Sequence, residues 1–401
     1  MTVTIMPSAP AGSVAAPPSK SMAHRALICA ALAGGGSAVR GVAASQDMLA
    51  TLNCLRVLGA EFSFENGDVA FRRGVEAFSP PAGAALPCRE CGSTLRFFVP
   101  LCLLGGGLFT LTGSETLLAR PLSVYENICK SQGLMFEKGE NTLRVCGPLR
   151  PGAFELPGDV SSQFVSGLLF ALPLLEGDSV IELRPPVESR AYIDMTMEAL
   201  DSFGVTARWR DETTIDVPGG QVYRARDFSV EGDWSNAAPF LALGADVTGL
   251  KADSTQGDKI CEAYFKALDA YPAEVDISGC PDLGPVLMAY AALRFGGKLT
   301  GTRRLKLKES DRGEAMRAEL AKFGVAAEIE ENRIAVGSGV SAPSGVLDGH
   351  NDHRIVMALS VLCAHTGGTI AGAEAVDKSF PGFFERLKTI NVGVKIHGVD
   401  Q

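Results

Sequence analysis

Cations and small hydroxyl groups stand directly before apolar segments at several places in this sequence. The first example is "SKSMAHRALICAAL", in which Lys20, Ser21 and Arg25 open a segment that is apolar on nearly every face. The first turn of a helix has unpaired N–H groups and carries about half a positive charge, so it attracts anions. Cations oppose the dipole at that end and are not caps. The pattern therefore predicts an anion-binding site.

The same arrangement recurs at the start of six apolar segments, each of which ends at glycine. The opening residues are Lys20, Ser21 and Arg25; Gly92, Ser93 and Arg96; Ser161, Ser162 and Gln163; Asp233 and Ser235; Asp282; and Asn351, Asp352, His353 and Arg354. Taken alone, Ser161, Asp233 and Asp352 are better explained as N-caps, whereas Asp282 fits an N-cap and a functional role equally well. If the six segments pack in parallel as helices, however, their polar ends face one another across a cleft.

Two further clusters hold groups that can do chemistry. "LKLKESDR" places Lys306, Lys308, Glu309, Asp311 and Arg312 within seven residues. Seen alone, such a run is typical of a solvated helix face, with Glu309 paired to Lys308. "GAEAVDKS" ends in Lys378 and is similar to the end of a phosphate-binding P-loop. Because Asp377 stands where that loop requires glycine, a nucleotide kinase is not predicted.

The apolar segments belong to a sixfold repeat that fills the 401-residue chain. Between them lie amphipathic helices that end in glycine and lead into hairpins, as in "CLRVLGAEFSFENGDVAFRR". Each repeat is thus predicted as β-α-β-α-β-β, although the hairpin after "YFKALDAYPAEVDI" is degenerate. Helices that are apolar all round must be buried, whereas those with a charged face lie nearer solvent. We predict an α/β fold of two domains with three repeats each.

Composition limits the classes of function. The chain has 46% hydrophobic and 21% charged residues and a net charge of -9, which is typical of a soluble globular protein and disfavours nucleic acid as a partner. The apolar stretches 97–111 and 164–175 are too short and too interrupted to span a membrane. The N-terminal residues predict neither secretion nor organelle import, so we expect a cytoplasmic protein.

The ten cysteines lie mostly within apolar patterns and are predicted to be reduced core residues. Cys88 and Cys91 form one CxxC pair, but no second pair or suitably spaced histidine accompanies it along the chain. We therefore expect no metal site.

Nine motifs, in this order and at these distances, resemble the 5-enolpyruvylshikimate-3-phosphate (EPSP) synthase family over nearly the whole chain. They are "SKSMAHR", "GSTLR", "ARP", "SSQF", "SRAYIDMT", "CPDLGP", "KESDR", "NDHR" and "DKSFPGFF". "KESDR" with "NDHR" is highly specific, whereas "GSTLR" alone is weak. The resemblance implies two inside-out α/β barrel domains with buried parallel helices. Their expected boundaries are 1–17 with 232–401, completed by the N-terminal strand, and 18–231, with the active site in the cleft between them.

The resemblance also implies a reaction and its residues. The family transfers the enolpyruvyl group of phosphoenolpyruvate to the 5-hydroxyl of shikimate 3-phosphate, without metal or organic cofactor and with domain closure. Lys20, Asp282 and Glu309 are the implied catalytic residues. Shikimate 3-phosphate is expected to bind Lys20, Ser21, Arg25, Ser161, Ser162, Gln163, Ser189, Tyr192, Asp282 and Lys308. Phosphoenolpyruvate is expected to bind Lys20, Gly92, Arg120, Gln163, Arg312, His353, Arg354 and Lys378. We expect these two small molecules as the only partners and a monomer.

Two positions depart from the family pattern and two other functions compete. Glu90 stands where many members carry Asn, and Arg304 stands where some carry a ligand Asn. UDP-N-acetylglucosamine enolpyruvyl transferase has the same fold, but it is recognised by a reactive loop cysteine, for which Cys91 is the nearest candidate. A repeat scaffold without catalysis is the other alternative, and it would carry its charges on outward helix faces.

Overall fold

The computed structural model describes residues 1–75, 78 and 84–397. In this part of the chain the strands are β1 (Thr2–Met6), β2 (Ser13–Ala15), β3 (Ala38–Arg40), β4 (Glu61–Glu65), β5 (Asp68–Arg73), β6 (Ala85–Arg89), β7 (Leu108–Gly113), β8 (Met135–Lys138), β9 (Thr142–Cys146), β10 (Ala153–Pro157), β11 (Ser179–Arg184), β12 (Arg208–Trp209), β13 (Thr214–Val217), β14 (Phe228–Ser229), β15 (Asp246–Thr248), β16 (Glu274–Asp276), β17 (Gly297–Thr300), β18 (Ala327–Glu330), β19 (Arg333–Val336), β20 (Leu347–Asp348), β21 (Gly368–Ala371) and β22 (Gly393–His397).

The helices are α1 (Lys20–Leu32), α2 (Gln46–Val57), α3 (Gly92–Cys102), α4 (Glu115–Ala119), α5 (Ser123–Gln132), α6 (Ser162–Ala171), α7 (Arg190–Ser202), α8 (Trp234–Ala242), α9 (Cys261–Leu268), α10 (Gly284–Leu293), α11 (Arg312–Lys322), α12 (His353–Thr366) and α13 (Phe383–Thr389). Short 3-10 turns occupy Leu172–Leu174, Gly257–Ile260, Pro281–Leu283, Arg303–Leu307 and Ala373–Lys378.

The chain divides into two compact units, each with its own hydrophobic core. We call 18–231 the N-terminal unit and 1–17 with 232–401 the C-terminal unit. In the N-terminal unit three four-stranded sheets repeat one pattern, in the orders β14-β3-β5-β4, β6-β7-β9-β8 and β10-β11-β13-β12. Two parallel strands are followed by an antiparallel hairpin in each sheet. The predicted β-α-β-α-β-β repeat is confirmed here.

The C-terminal unit follows the same pattern with two modifications. Its sheets have the orders β16-β17-β19-β18 and β20-β21-β1-β22, so strand β1 supplies the last member of the final sheet. The remaining repeat holds only β15 parallel to β2. After α9 the chain leads directly into β16, which explains why the sequence "YFKALDAYPAEVDI" gave no clear hairpin signal.

The two predicted kinds of helix are confirmed. Nearly every residue of α1, α3, α6, α8, α10 and α12 is buried. The intervening helices, such as α2 and α11, alternate buried and exposed residues as their charged faces require. The four hairpins with a clear sequence signal are also present, and in the first of them Asn66 and Gly67 both have positive φ, as a type I′ turn demands.

Some of the polar residues at the starts of the buried helices are N-caps. Ser161, Asp233 and Asp352 each accept a backbone N–H of their own helix, so the capping interpretation is confirmed for them. Asp282 is different. It lies in the 3-10 turn before α10, whose N-cap residue Leu283 makes no side-chain cap, so the capping interpretation of Asp282 is wrong.

All ten cysteines are free thiols, and nine of them are buried, as predicted. Among the described residues, no helix is both long enough and apolar enough to cross a membrane.

Candidate active site

The buried helices of the N-terminal unit meet near their N-terminal ends. Arg96 of α3 donates through Nη1 to Oε1 of Gln163 in α6, at 2.6 Å. Arg25 of α1 donates through Nη2 to the hydroxyl of Ser166 in α6, at 3.3 Å. Side chains within the first two turns of α1, α3 and α6 thus contact one another. Within this unit the predicted polar residues are therefore brought together.

Arg25 is a buried cation surrounded by neutral acceptors. Its guanidinium donates to Thr196 Oγ1 at 2.8 Å, to the carbonyl oxygens of Ser21 and Tyr192 at 2.6 and 2.8 Å, and to Ser166. Only 2% of Arg25 is exposed, and this burial lowers its pKa to about 10. None of these acceptors carries a charge, so a bound phosphate would be the first anion to compensate Arg25.

Ser189 and Tyr192 lie at the start of α7, on the element that contacts Arg25. Ser189 is 2% exposed and has φ 54° and ψ 38°, in the left-handed region. This conformation is uncommon for a residue other than glycine and costs about 1 kcal/mol or more, and such residues cluster at functional sites. Ser161 caps α6 by accepting the N–H of Gln163, and Ser162 follows it with 8% exposure.

Gly92 leaves room between charged groups. A Cβ atom at this position would lie 3.1 Å from Nη1 of Arg120, 3.3 Å from Nη1 of Arg96 and 3.6 Å from Oε1 of Gln163. The structure therefore brings three predicted phosphoenolpyruvate ligands, Gly92, Arg120 and Gln163, to one place.

Lys20 has a partner that the sequence did not reveal. Its ammonium group lies 2.9 Å from Oδ2 of Asp47. The Lys20 side chain is 15% exposed and the Asp47 side chain 14%. Asp47 lies in the first turn of α2, where acidic residues are common. The sequence therefore gave no indication that Asp47 is the partner of Lys20. The contact holds the ammonium group at the first turn of α1.

In the C-terminal unit Asp282 is held by three cations. Its Oδ1 lies 3.0 Å from Nζ of Lys308 and 2.9 Å from Nη1 of Arg312, and its Oδ2 lies 3.5 Å from Nη2 of Arg354. Burial on its own would raise the pKa of Asp282, but Lys308, Arg312 and Arg354 together hold that pKa well below its usual range. Asp282 is ionised at neutral pH in this arrangement.

Arg312 joins three carboxylates. It is 1% exposed and donates to Asp352 at 2.9 and 3.3 Å, to Asp282 at 2.9 Å and to Glu309 at 2.8 Å. Although burial opposes the charged form, these carboxylates raise the pKa of Arg312. Glu309 binds Arg312, and Lys308 binds Asp282.

The remaining predicted ligands lie at the start of α12 or near it. Arg354 donates to Asn236 at 2.9 Å and to Ser235, both in the first turn of α8, so these two buried helices also meet at their N-terminal ends. His353 is 2% exposed, with Nδ1 3.8 Å from Oδ1 of Asp352. Lys378 donates to the carbonyl oxygen of Asn351 at 2.8 Å.

The two departures from the family pattern lie on different elements. Glu90 is a half-buried turn residue between β6 and α3. Arg304 is 5% exposed and donates to the carbonyl oxygen of Ser278 at 2.6 Å.

The thiols of Cys88 and Cys91 have different surroundings. Cys88 contacts the carbonyl oxygen of Leu86 in the core, whereas the Cys91 thiol lies 3.8 Å from Nε2 of His24. Among the described residues, His24, Asp47 and Cys91 are the group of donor atoms close enough to hold a metal ion. The sequence-based expectation of no metal site overlooked this cluster, because His24 and Asp47 come from other helices.

The fold and the two polar sites define a class: an α/β protein of β-α-β-α-β-β repeats whose buried helices present anion-binding groups at their N-terminal ends. The profile of the family "EPSP synthase (3-phosphoshikimate 1-carboxyvinyltransferase)" matches residues 6–271 and 249–387. The chain therefore belongs to the EPSP synthase family.

Individual relatives agree with this assignment. A 3-phosphoshikimate 1-carboxyvinyltransferase of Clostridium kluyveri is 38% identical over 414 residues, covering 97% of both chains. One of Clostridium perfringens is 36% identical over 415 residues, covering 97% of this chain and 98% of the relative. A solved EPSP synthase structure from Acinetobacter baumannii superposes with a TM-score of 0.79 at 24% identity, covering 98% of this chain and all of that chain. This structural likeness confirms the predicted fold.

Proposed function

We propose that this chain is a 3-phosphoshikimate 1-carboxyvinyltransferase of the shikimate pathway. It transfers the enolpyruvyl group of phosphoenolpyruvate to the 5-hydroxyl of shikimate 3-phosphate and releases phosphate. The observation that carries the proposal is the convergence of Arg25, Arg96 and Arg354 with hydroxyl and amide groups at buried helix ends. Both substrates are polyanions, and each of these helix ends attracts anions.

The two units are assigned different parts of the substrates. Shikimate 3-phosphate binds the N-terminal unit through Ser21, Arg25, Ser161, Ser162, Gln163, Ser189 and Tyr192, with Lys20, and reaches Asp282 and Lys308 of the C-terminal unit. Phosphoenolpyruvate binds Lys20, Gly92, Arg120 and Gln163 on one side and Arg312, His353, Arg354 and Lys378 on the other. The proposal therefore assigns ligands from both units to each substrate. The uncompensated charge of Arg25 supports its assignment to the substrate phosphate.

The chemistry needs a base at the hydroxyl and an acid at carbon. The 5-hydroxyl oxygen attacks C2 of phosphoenolpyruvate while Asp282 takes its proton and Glu309 donates a proton to C3. The product is a tetrahedral ketal. The C2–O bond to phosphate then breaks, and the leaving phosphate takes up the proton that Asp282 had accepted. A proton leaves C3 for the Glu309 carboxylate, which restores the enol ether. Lys20 and the arginines neutralise the charge that moves onto the leaving phosphate.

The contacts of Asp282 and Glu309 explain why the anionic substrates must bind before proton transfer. The three cations around Asp282 make it a weak base, and Arg312 stabilises the ionised form of Glu309. An anionic substrate that accepts hydrogen bonds from Arg312 and Arg354 weakens their hold on both carboxylates. The pKa of Asp282 then rises toward the range in which it can exchange a proton.

Phosphate release distinguishes this function from its alternatives. We expect release from phosphoenolpyruvate with shikimate 3-phosphate, but none with UDP-N-acetylglucosamine and none with phosphoenolpyruvate alone. Lys20→Met should abolish the release, because it removes the ammonium group from the first turn of α1. Lys130→Met, at an exposed position of α5, is the matched control and should retain full turnover. Retained turnover in Lys20→Met would remove Lys20 from the mechanism.

The chain is further proposed to act as a cytoplasmic monomer. Its substrates are small soluble molecules, and its net charge of -9 disfavours nucleic acid. Sedimentation at micromolar concentration should give the mass of one 42.1 kDa chain, whereas a mass twice as large would contradict the monomer.

A further inference from the structure

Three different metal-binding side chains meet beside Lys20 in the N-terminal unit. One donor atom each from His24, Asp47 and Cys91 lies within 4.8 Å of the other two. Nε2 of His24 is 3.8 Å from Sγ of Cys91, close to the separation of two ligands on one tetrahedral zinc ion. His24 and Cys91 are buried, whereas Asp47 has 14% of its side chain exposed and gives solvent access to the cluster.

The surroundings of His24 favour metal ligation through Nε2. Its Nδ1 lies 2.8 Å from Oγ1 of Thr51, which in turn lies 2.8 Å from Oγ1 of Thr94. When Nδ1–H donates to Thr51, the lone pair of Nε2 points toward Cys91. Metal-ligating histidines are commonly oriented by such a hydrogen bond of the other ring nitrogen.

The three ligands differ in kind, and their combination selects among metals. A thiolate, an imidazole and a carboxylate suit zinc, whereas magnesium and calcium prefer oxygen ligands alone. Three protein ligands leave the fourth tetrahedral position to water. The structure thus supplies three of the four ligands of a tetrahedral Zn²⁺ site.

We infer that His24, Asp47 and Cys91 form a zinc-binding site whose occupation inhibits the enzyme by displacing Lys20. Lys20 and the metal both require the Asp47 carboxylate, since the ammonium group lies 2.9 Å from Oδ2. A divalent cation at this carboxylate repels the ammonium group and removes it from its position. The inhibitory consequence rests on the proposed function, whereas the binding itself does not.

Metal binding is tested on the full chain without substrates. Cys146, the cysteine that is not fully buried, is replaced by Ser in every protein to exclude adventitious binding. Co²⁺ is the probe, because a cobalt–thiolate bond gives a charge-transfer band in the near ultraviolet. We expect one equivalent of Co²⁺ to produce this band and Zn²⁺ to remove it by competition. The thiol loses its proton when the metal binds. As long as the pH is below the thiol pKa, the affinity for Co²⁺ should therefore increase roughly tenfold for each unit by which the pH is raised.

Matched variants identify the ligand. Cys91 caps α3 by accepting the N–H of Thr94, and serine is a good N-cap, so Cys91→Ser removes the thiolate while it keeps the helix start. Cys91→Ser should lose the cobalt band, and Cys88→Ala should keep it. A band that persists in Cys91→Ser, or no band in the parent protein, overturns the site.

Inhibition is then measured by phosphate release. Zn²⁺ should lower turnover in the parent and in Cys88→Ala at the concentration that displaces cobalt, and it should leave Cys91→Ser unaffected. Tight zinc binding with unchanged turnover overturns the displacement of Lys20. A parent protein with no turnover under any condition contradicts the proposed function instead, and the cobalt titration still decides whether the site exists.

Discussion

Two buried arginines show how the same side chain can be prepared for different tasks. Arg25 donates to neutral oxygens and lies over the ring of Phe97, so its charge is available to a ligand. Arg312 is bound by three carboxylates, so a ligand must compete for it. Removing Arg25 should therefore affect substrate binding most, whereas removing Arg312 would leave the buried Asp352 carboxylate without its guanidinium partner.

Arg25→Met is predicted to raise the KM for shikimate 3-phosphate by about 10- to 100-fold, the value of one lost charge-assisted hydrogen bond of roughly 1.5–3 kcal/mol. Steady-state kinetics would measure this change. Thermal unfolding provides the second readout: shikimate 3-phosphate should raise the Tm of the parent protein and much less that of the variant. An unchanged KM would show that the substrate phosphate binds elsewhere.

Asp282→Asn tests the ion pairs of the C-terminal unit. The pKa of Asp282 is depressed in the folded state, so its stabilising contribution is present above the unfolded pKa of about 3.9 and is lost as the pH falls toward the folded value. We expect the variant to be about 3 kcal/mol less stable at pH 7, as when one partner leaves a buried pair.

Urea unfolding at a series of pH values would measure this difference, which should shrink below about pH 4. The matched control is Asp253→Asn, at an exposed position of the same unit, which should change stability little at any pH. A difference that is independent of pH would contradict the role of the Asp282 charge.

At the scale of the elements, close helix packing determines how the site residues meet. Helix α6 passes α3 with Gly167 at the contact, where a Cβ would lie 2.5 Å from the carbonyl oxygen of Arg96 and 2.3 Å from the hydroxyl of Tyr125. That hydroxyl donates to the carbonyl oxygens of Arg96 and Phe164. The absence of a side chain at Gly167 therefore permits the contact between Arg96 and Gln163 one turn away.

Gly167→Ala is predicted to destabilise the protein by about 1–3 kcal/mol through overpacking, although alanine normally favours a helix over glycine by about 1 kcal/mol. The expected sign is thus opposite to helix propensity. Turnover should also fall, because α3 and α6 must separate. Gly106→Ala, where a Cβ meets no atom within 4 Å, is the control and should be neutral or slightly stabilising. A stabilised Gly167→Ala would contradict the packing argument.

At the scale of the whole molecule, the chain has two cores and divides at two points in sequence. The two segments in which the chain passes from one unit to the other are hydrogen-bonded to each other. The N–H of Ser19 donates to the carbonyl oxygen of Glu231, and the N–H of Asp233 donates to the carbonyl oxygen of Pro17. Two adjacent chain segments therefore connect the units.

Closure of the units over the substrates is predicted to reduce the radius of gyration. Small-angle scattering should show this reduction with shikimate 3-phosphate and phosphoenolpyruvate present, because anions compensate the cations on both sides of the proposed cleft. In Arg25→Met the contraction should need higher concentrations of shikimate 3-phosphate. Identical profiles with and without both substrates would contradict closure.

Much of this protein follows from local sequence patterns. Hydrophobic periodicity predicted the repeat, the buried helices and four hairpins, because each of these depends on which face of a short segment is apolar. Motif resemblance supplied the family, which the comparisons confirm. The residue types at the helix starts predicted anion binding, because the helix dipole and the free N–H groups are local properties.

Only the tertiary structure decided which of these polar groups are partners. Lys20 binds Asp47 across 27 positions and Arg25 binds Thr196 across 171, while Asp282 leaves its own helix uncapped and takes cations from α11 and α12. Such contacts depend on how the buried helices pack. Neither the spacing of residues along the chain nor the composition shows which distant residues this packing brings together. The His24, Asp47 and Cys91 cluster has the same origin, since each of its residues looks ordinary within its own segment.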